Sequence, residues 1–165
     1  KELAFKTFFN ILGPMVNPAH PHNQLVGVYS LELARLYSYL YQMGDKNYMI
    51  LHSLDGYDEV SLTSSFKMIT NETEQILEPQ QIGFNILDKS SLSGGETIED
   101  AAKIFMDILN GKGTREQNDV IIANSAMGIN CCMPGKSIDD SIELAKESLF
   151  GKKALNCFNK LLEIN

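Results

Sequence analysis

The chain has 165 residues, 44% hydrophobic and 21% charged, with 14 basic against 21 acidic side chains for a formal net charge of −7. This is ordinary globular usage; it excludes a disordered, collagen-like or low-complexity protein, and at this length one domain with a real core is expected. The acidic balance, with an isoelectric point near 4.9, lacks the basic stripe of a nucleic-acid binder, and the apolar runs fall far short of the roughly 20 residues that span a bilayer, so neither nucleic acid nor membrane is an expected partner.

The chain opens at Lys1 with neither an initiating Met nor a charged-then-apolar leader, so nothing directs export, a cytoplasmic setting is expected and the start reads as a cut. Cys131, Cys132 and Cys157 give an odd count with two neighbours that pair poorly, which points to reduced, structural thiols. Three of the five prolines crowd the segment 10–22, where an irregular ordered loop is expected. The stretch 25–29 then reads as a buried strand. Leu33, Leu36, Tyr37 and Leu40 follow at helical spacing behind a Ser30 cap, ending at Gly44. A second buried strand at 48–52 completes a right-handed strand–helix–strand unit with a parallel pair.

Segments 59–62, 66–70 and 75–77 are short and rich in Val, Ile, Thr and Phe, and read as an antiparallel meander. Helices follow. Thr97 with Asp100 and Ser137 with Asp140 are capping-box starts closed by Gly111 and Gly151, and between them 120–132 is apolar nearly all round, predicting a helix buried within the domain. The last break leads into Ala154, Leu155, Phe158 and Leu162. The fold class is α/β: a mixed, mainly parallel sheet flanked by helices, with an antiparallel meander and a helical C-terminal third, forming one domain over 1–165.

The densest acidic cluster, Asp55-Gly56-Tyr57-Asp58-Glu59, lies just beyond the carboxyl end of the second strand, where open α/β sheets bind ligands. Adjacent carboxylates there suit Mg²⁺, a hard ion that takes one or two protein carboxylates and fills its shell with water and substrate phosphate. Asp58 and Glu59 fit that role; the alternative is a solvated turn. The Gly13-Pro14 and Asn17-Pro18 pairs can shape a substrate-lining loop or a rigid connector. Lys6 is a candidate anion-binding cation or an ordinary surface charge. His52 reads as a satisfied, partly buried histidine, and Gly94-Gly95 as a tight turn before a helix. No Gly-x-Ser-x-Gly, His-Glu-x-x-His or Gly-Lys-Ser phosphate loop is present.

Several segments together resemble one family. Thr7-Phe8-Phe9-Asn10-Ile11-Leu12-Gly13-Pro14-Met15-Val16-Asn17-Pro18-Ala19 is similar to the Arg-Thr-x-Phe-Asn-x-Leu-Gly-Pro-Leu-x-Asn-Pro-Ala segment of the anthranilate phosphoribosyltransferases. Leu25-Val-Gly-Val-Tyr-Ser30, His52-Ser53 with Gly56-x-Asp58-Glu59-Val60-Ser61-Leu62, Leu92-Ser-Gly-Gly95 and Gly151-Lys-Lys-Ala-Leu155 match in order. The resemblance implies Mg²⁺-dependent transfer of the phosphoribosyl group from 5-phosphoribosyl 1-diphosphate to anthranilate in tryptophan biosynthesis. It puts Asp58 and Glu59 at the metal, and Lys6, Asn10, Gly13 and Pro14 among the substrate-binding residues.

Lys6 stands where the family has an Arg that contacts anthranilate, and a point charge replaces a planar two-pronged grip on a carboxylate. The family's glycine-rich diphosphate loop and Lys-His-Gly-Asn segment have no counterpart in these 165 residues. The resemblance therefore implies the C-terminal half of such an enzyme, inactive alone, with the homodimer of the parent made by an absent N-terminal domain and anthranilate synthase a further candidate partner. A pyrimidine nucleoside phosphorylase-like enzyme and a non-catalytic protein that binds a phosphoribosyl metabolite are the competing readings.

Overall fold

A computed structural model of the chain describes residues 12–164. Asn23–Gly27 forms β1, Leu31–Tyr41 forms α1 and Asn47–Ser53 forms β2, giving the expected strand–helix–strand unit with β1 and β2 parallel, Asn23 opposite Asn47 and Gly27 opposite Leu51. Ser30 caps α1 by accepting from the Leu33 N–H at 3.2 Å. The helix stops at Tyr41, and Gly44 closes the turn by donating to the Tyr41 carbonyl.

Phe66–Thr70 (β3) and Glu74–Leu77 (β4) then add antiparallel strands, giving the order β1-β2-β3-β4. The sheet is mixed, but not mainly parallel within these strands: only the β1–β2 pair is parallel, because only α1 supplies a connection long enough for a parallel return. The meander also differs from its expected form. Its first member is β2, and residues 59–62 pair with no strand; side chains bond the backbone at 59–61, as described below, and the Leu87 N–H donates to the Leu62 carbonyl at 2.9 Å.

Ile98–Leu109 (α2), Arg115–Cys132 (α3), Ile138–Phe150 (α4) and Lys153–Glu163 (α5) follow. Thr97, Thr114 and Ser137 each close a capping box with the residue three positions on, which satisfies helix-end N–H groups locally. The Thr114 box starts α3 five residues ahead of the apolar run that announced it. That helix is not enclosed all round. Ile122, Ala123, Ala126, Met127 and Cys131 form its buried stripe while Ile121 stays exposed, since only one side faces the sheet and α4.

The period of two along β2 sorts the core into two layers. Met49 and Leu51 face α3 and α4, packing with Phe66, Met68, Met127 and Ile142. Tyr48 and Ile50 face α1, packing with Leu33, Ala34, Tyr37 and Tyr41. With both faces covered, β2 is buried from Tyr48 to Ser53, which is why it reads as a continuous apolar run. α5 has no buried residue; its Phe158 meets Phe105 of α2 edge-on at 5.1 Å. The three cysteines are free. No helix among the described residues is long and apolar enough to cross a membrane.

Candidate functional site

The acidic cluster sits where β2 runs out. A tight turn brings the chain back at once: Gly56 donates to the Ser53 carbonyl and Ser53 to the Tyr57 carbonyl, both at 2.9 Å, with Gly56 at φ +104, a left-handed value that glycine adopts without strain. Asp55 is committed to structure. It accepts from Thr63 Oγ1 at 2.6 Å and Ser61 Oγ at 3.3 Å, and pairs with Lys89 Nζ at 3.2 Å. Burial pushes its carboxyl up, but the Thr63 hydrogen bond and the Lys89 ammonium outweigh that and hold it below the ordinary aspartate range. Lys89 also lies 5.5 Å from the centre of the Tyr57 ring, so one ammonium ties both ends of the turn.

Asp58 and Glu59 have no such side-chain ties among the described residues, and both are exposed. They stand close enough to feel each other. Desolvation against the protein wall pushes the Glu59 carboxyl above its ordinary value, and the Asp58 charge pushes it further. Their backbone is fixed. A Cβ on Gly27, at the end of β1, would lie 1.5 Å from the Asp58 carbonyl oxygen, so this glycine lets the loop lie directly on the strand. Ser53 Oγ donates to the Glu59 carbonyl at 2.6 Å, and Asn124 of α3 holds Val60 by both its backbone groups at 2.9 Å. Leu62 closes the segment at φ +58 with its side chain fully buried, a conformation that costs about 1–3 kcal/mol and is retained by packing.

His52 is the satisfied buried histidine its position suggested: Nδ1 donates to the Val28 carbonyl at 2.7 Å, tying the carboxyl ends of β1 and β2 together. Gly94 and Gly95 do not form the expected tight turn: 93–95 is irregular chain, and Gly95, at a left-handed φ of +86, lies against the start of α2, where a Cβ would stand 2.4 Å from Asp100 Cβ. Gly13 and Pro14 lie in a short 3-10 turn, Gly13–Met15, and the Pro14 carbonyl accepts from the Gln24 side chain at the amino end of β1. Asp58 meets the same strand at its carboxyl end, so the two candidate regions engage opposite ends of β1. Lys6 and Asn10 lie outside the described residues.

Sequence reasoning missed Lys89, Ser53 and Asn124. For Asn124 there was a signal: a polar side chain inside the apolar run 120–127, where a buried amide needs partners. Beside Glu59 a cleft of about 210 Å³ opens, lined by Tyr57, Glu59 and Lys89 together with the apolar Ile104, Val120 and Ile121. Among the described residues no three His, Cys, Asp or Glu side chains gather as a closed metal cage would need. An exposed pair of adjacent carboxylates can hold a hard divalent cation that keeps water or substrate oxygens for the rest of its shell.

Known proteins share both sequence and fold with this chain. The anthranilate phosphoribosyltransferase of Flavobacterium johnsoniae is 53% identical over 168 residues, covering 100% of this chain and 50% of the relative, and that of Flavobacterium psychrophilum is 54% identical with the same coverage. The chain thus spans about half the length of the curated relatives it matches. Anthranilate phosphoribosyltransferase from Saccharomyces cerevisiae, solved in complex with PRPP and Mg, superposes with a TM-score of 0.81 at 26% identity, covering 92% of this chain and 44% of that one. The enzyme from Thermus thermophilus superposes with a TM-score of 0.85 at 24% identity over 96% of this chain and 48% of that one, which bears on the fold alone. The model of the glycosyl transferase family, a/b domain, matches residues 1–155, and the chain belongs to that family.

Proposed function

We propose that this chain is the C-terminal half of an anthranilate phosphoribosyltransferase, working in the cytoplasm as part of a longer enzyme that transfers the phosphoribosyl group of 5-phosphoribosyl 1-diphosphate to anthranilate. The observation that carries the reading is the pair Asp58 and Glu59, left exposed at the carboxyl ends of β1 and β2 while the polar side chains of Ser53, Asp55 and Thr63 around them are tied into the loop. Carboxylates held at that place on an α/β sheet are where a phosphorylated ligand is met. The half-length match to enzymes of that name supports the choice of reaction.

The donor set fits magnesium: two hard oxygen ligands, mutually repelling until a cation joins them, with no soft or imidazole ligand gathered beside them among the described residues. Asp58 and Glu59 would hold the ion. When bound, the ion supplies positive charge to offset the negative charge that builds on departing diphosphate. The chain's own contribution is placement. Gly27, Ser53 and Asn124 keep the two carboxylates from drifting, which matters in a transfer that depends on positioning more than on covalent catalysis. Lys6, Asn10, Gly13 and Pro14 would line the acceptor side, with Lys6 offering the anthranilate carboxylate a point charge in place of a two-pronged grip. On this reading the isolated chain does not turn over, and the complete enzyme forms its homodimer through its other half, with anthranilate synthase a candidate associate.

The test is the loss of anthranilate fluorescence on adding 5-phosphoribosyl 1-diphosphate and Mg²⁺ to the full-length transferase, with the 165-residue chain run alongside. Loss in the full-length protein alone is the expected result. Turnover by the 165 residues would overturn the division of the site between halves. No loss in a folded full-length protein would overturn the reaction and leave another acceptor or a binding role, with Lys6→Arg as the first substitution to try.

A further inference from the structure

Residues 59–61 run without a strand partner, and Val60 and Ser61 are buried, so the backbone groups of this segment need satisfaction from elsewhere. Two side chains supply it. Asn124 Oδ1 accepts from the Val60 N–H at 2.9 Å, and its Nδ2 donates to the Val60 carbonyl at 2.9 Å and to the Val120 carbonyl at 3.0 Å. Only this orientation of the amide serves all three groups, since Val60 presents one donor and both carbonyls need a donor. From β2, Ser53 Oγ donates to the Glu59 carbonyl at 2.6 Å and accepts from the Ser61 N–H at 3.1 Å. Val60 and Ser53 are fully buried, so water is not available to replace either set of bonds.

Resting on the reading of Asp58 and Glu59 as magnesium ligands, we propose that Asn124, together with Ser53, is a positioning residue for that pair: a helix amide 64 positions downstream of Val60 sets the backbone from which the Glu59 carboxylate projects. The geometry supports this over a general packing role because, among the described residues, the side-chain hydrogen bonds these two residues make outside their own elements go to Glu59, Val60 and Ser61. Asn130, on the same helix, serves the helix end instead, donating to the Lys136 carbonyl at 2.8 Å. Groups that orient metal ligands from outside the coordination shell typically cost about ten- to a hundredfold in metal affinity or activity when changed.

The test uses Asn124→Asp in the full-length transferase, a change that keeps shape and the acceptor for Val60 N–H but turns an oxygen toward the Val60 and Val120 carbonyls. Mn²⁺ binding is followed by loss of the free-ion electron paramagnetic resonance signal, and hydrogen exchange is read at Val60 and Ser61. The half-saturating Mg²⁺ concentration is measured separately from kcat. The expected result is faster exchange at Val60, Mn²⁺ affinity about ten- to a hundredfold lower, and a matching rise in the Mg²⁺ requirement with kcat at saturating Mg²⁺ little changed. Asn130→Ala should leave Mn²⁺ affinity within about twofold, since its bonds lie outside the segment that carries Glu59. Faster exchange with unaltered Mn²⁺ affinity would overturn the proposal. If Asn124→Asp does not unfold cooperatively, Ser53→Ala carries the same expectation and the same refutation. Unaltered Mn²⁺ affinity in Asp58→Asn would instead overturn the metal reading on which the proposal rests.

Discussion

Gly27 and Asp58 meet with no space for a side chain between them: a Cβ at Gly27 would stand 1.5 Å from the Asp58 carbonyl oxygen and 2.6 Å from its carbonyl carbon. The obstacle is backbone, which cannot swing aside as a flexible side chain would. Gly27→Ala is therefore expected to cost about 3 kcal/mol or more, the upper end of overpacking changes, and to lower the melting temperature by roughly 10 °C for a domain of this size. Thermal unfolding followed by circular dichroism checks it. An alanine variant that melts with the parent would mean that the loop does not rest on β1 in solution.

Asp58→Asn and Glu59→Gln separate the site from the scaffold. Neither carboxylate is engaged in a hydrogen bond or ion pair with the rest of the loop in the way Asp55 is, and the two repel each other. Each substitution should leave stability unchanged or slightly raised, because one charge of a like-charged pair is removed. Each should also lower the phosphoribosyl transfer rate of the full-length enzyme by at least about tenfold, since loss of a direct ligand should cost no less than loss of its support. Parallel measurement of melting temperature and anthranilate fluorescence decides; full activity in both variants would remove the metal from Asp58 and Glu59.

How much of this was legible in the sequence depended on distance along the chain. Ser30, Thr97 and Ser137 act on N–H groups three residues away, so their helix starts were visible in short words of sequence. β2 announced itself because both faces are covered. The segment 59–62 misled: Val60 and Leu62 carry strand-like composition, yet the composition reflects burial, and the hydrogen bonds go to Asn124, Ser53 and the Leu87 N–H rather than to a neighbouring strand. The Asp55–Lys89 pair and the Gly27–Asp58 approach join positions that no local pattern relates. Within the acidic word 55–59 the sequence singles out Asp58 and Glu59, but the partners that tie Asp55 into the fold, Thr63 and Lys89, lie 8 and 34 positions away and are set only by the fold.

Glu59 gives the proposed cation site a pH dependence of definite sign. Its carboxyl titrates above the ordinary glutamate range, because of desolvation first and the Asp58 charge second. In the folded chain the proton is held more tightly than in the unfolded one. Its contribution to stability is thus fully present below the unfolded value and is lost as pH rises through the folded one. Cation binding runs the opposite way, since the metal needs the ionised form. Mn²⁺ affinity should weaken as pH falls through the Glu59 value, beginning at a higher pH than an ordinary glutamate would give. In Glu59→Gln the remaining weaker binding should lose this component of its pH dependence. A wild-type titration curve that coincides with that of Glu59→Gln would show that Glu59 does not compete with protons for the cation.

Asp55 should produce the opposite acid behaviour. Burial raises its carboxyl, but the bonds from Thr63 and Lys89 prevail and hold it below the ordinary aspartate range, so it binds its proton less readily folded than unfolded. Its stabilising contribution is present above the unfolded value and disappears as pH falls through the folded one. Asp55→Asn removes the charge that Lys89 pairs with and offers Thr63 a poorer acceptor set, which should cost about 1.5–3 kcal/mol near neutral pH, the range for a hydrogen bond to a charged group. Between the unfolded value and the folded one that difference should shrink, because the wild-type chain is then losing what the variant never had. Urea unfolding midpoints taken from neutral to acid pH test this directly. Parallel curves for the two proteins would mean that the Thr63 and Lys89 contacts do not hold the Asp55 charge in solution, and that the turn before Asp58 is fixed by its backbone hydrogen bonds alone.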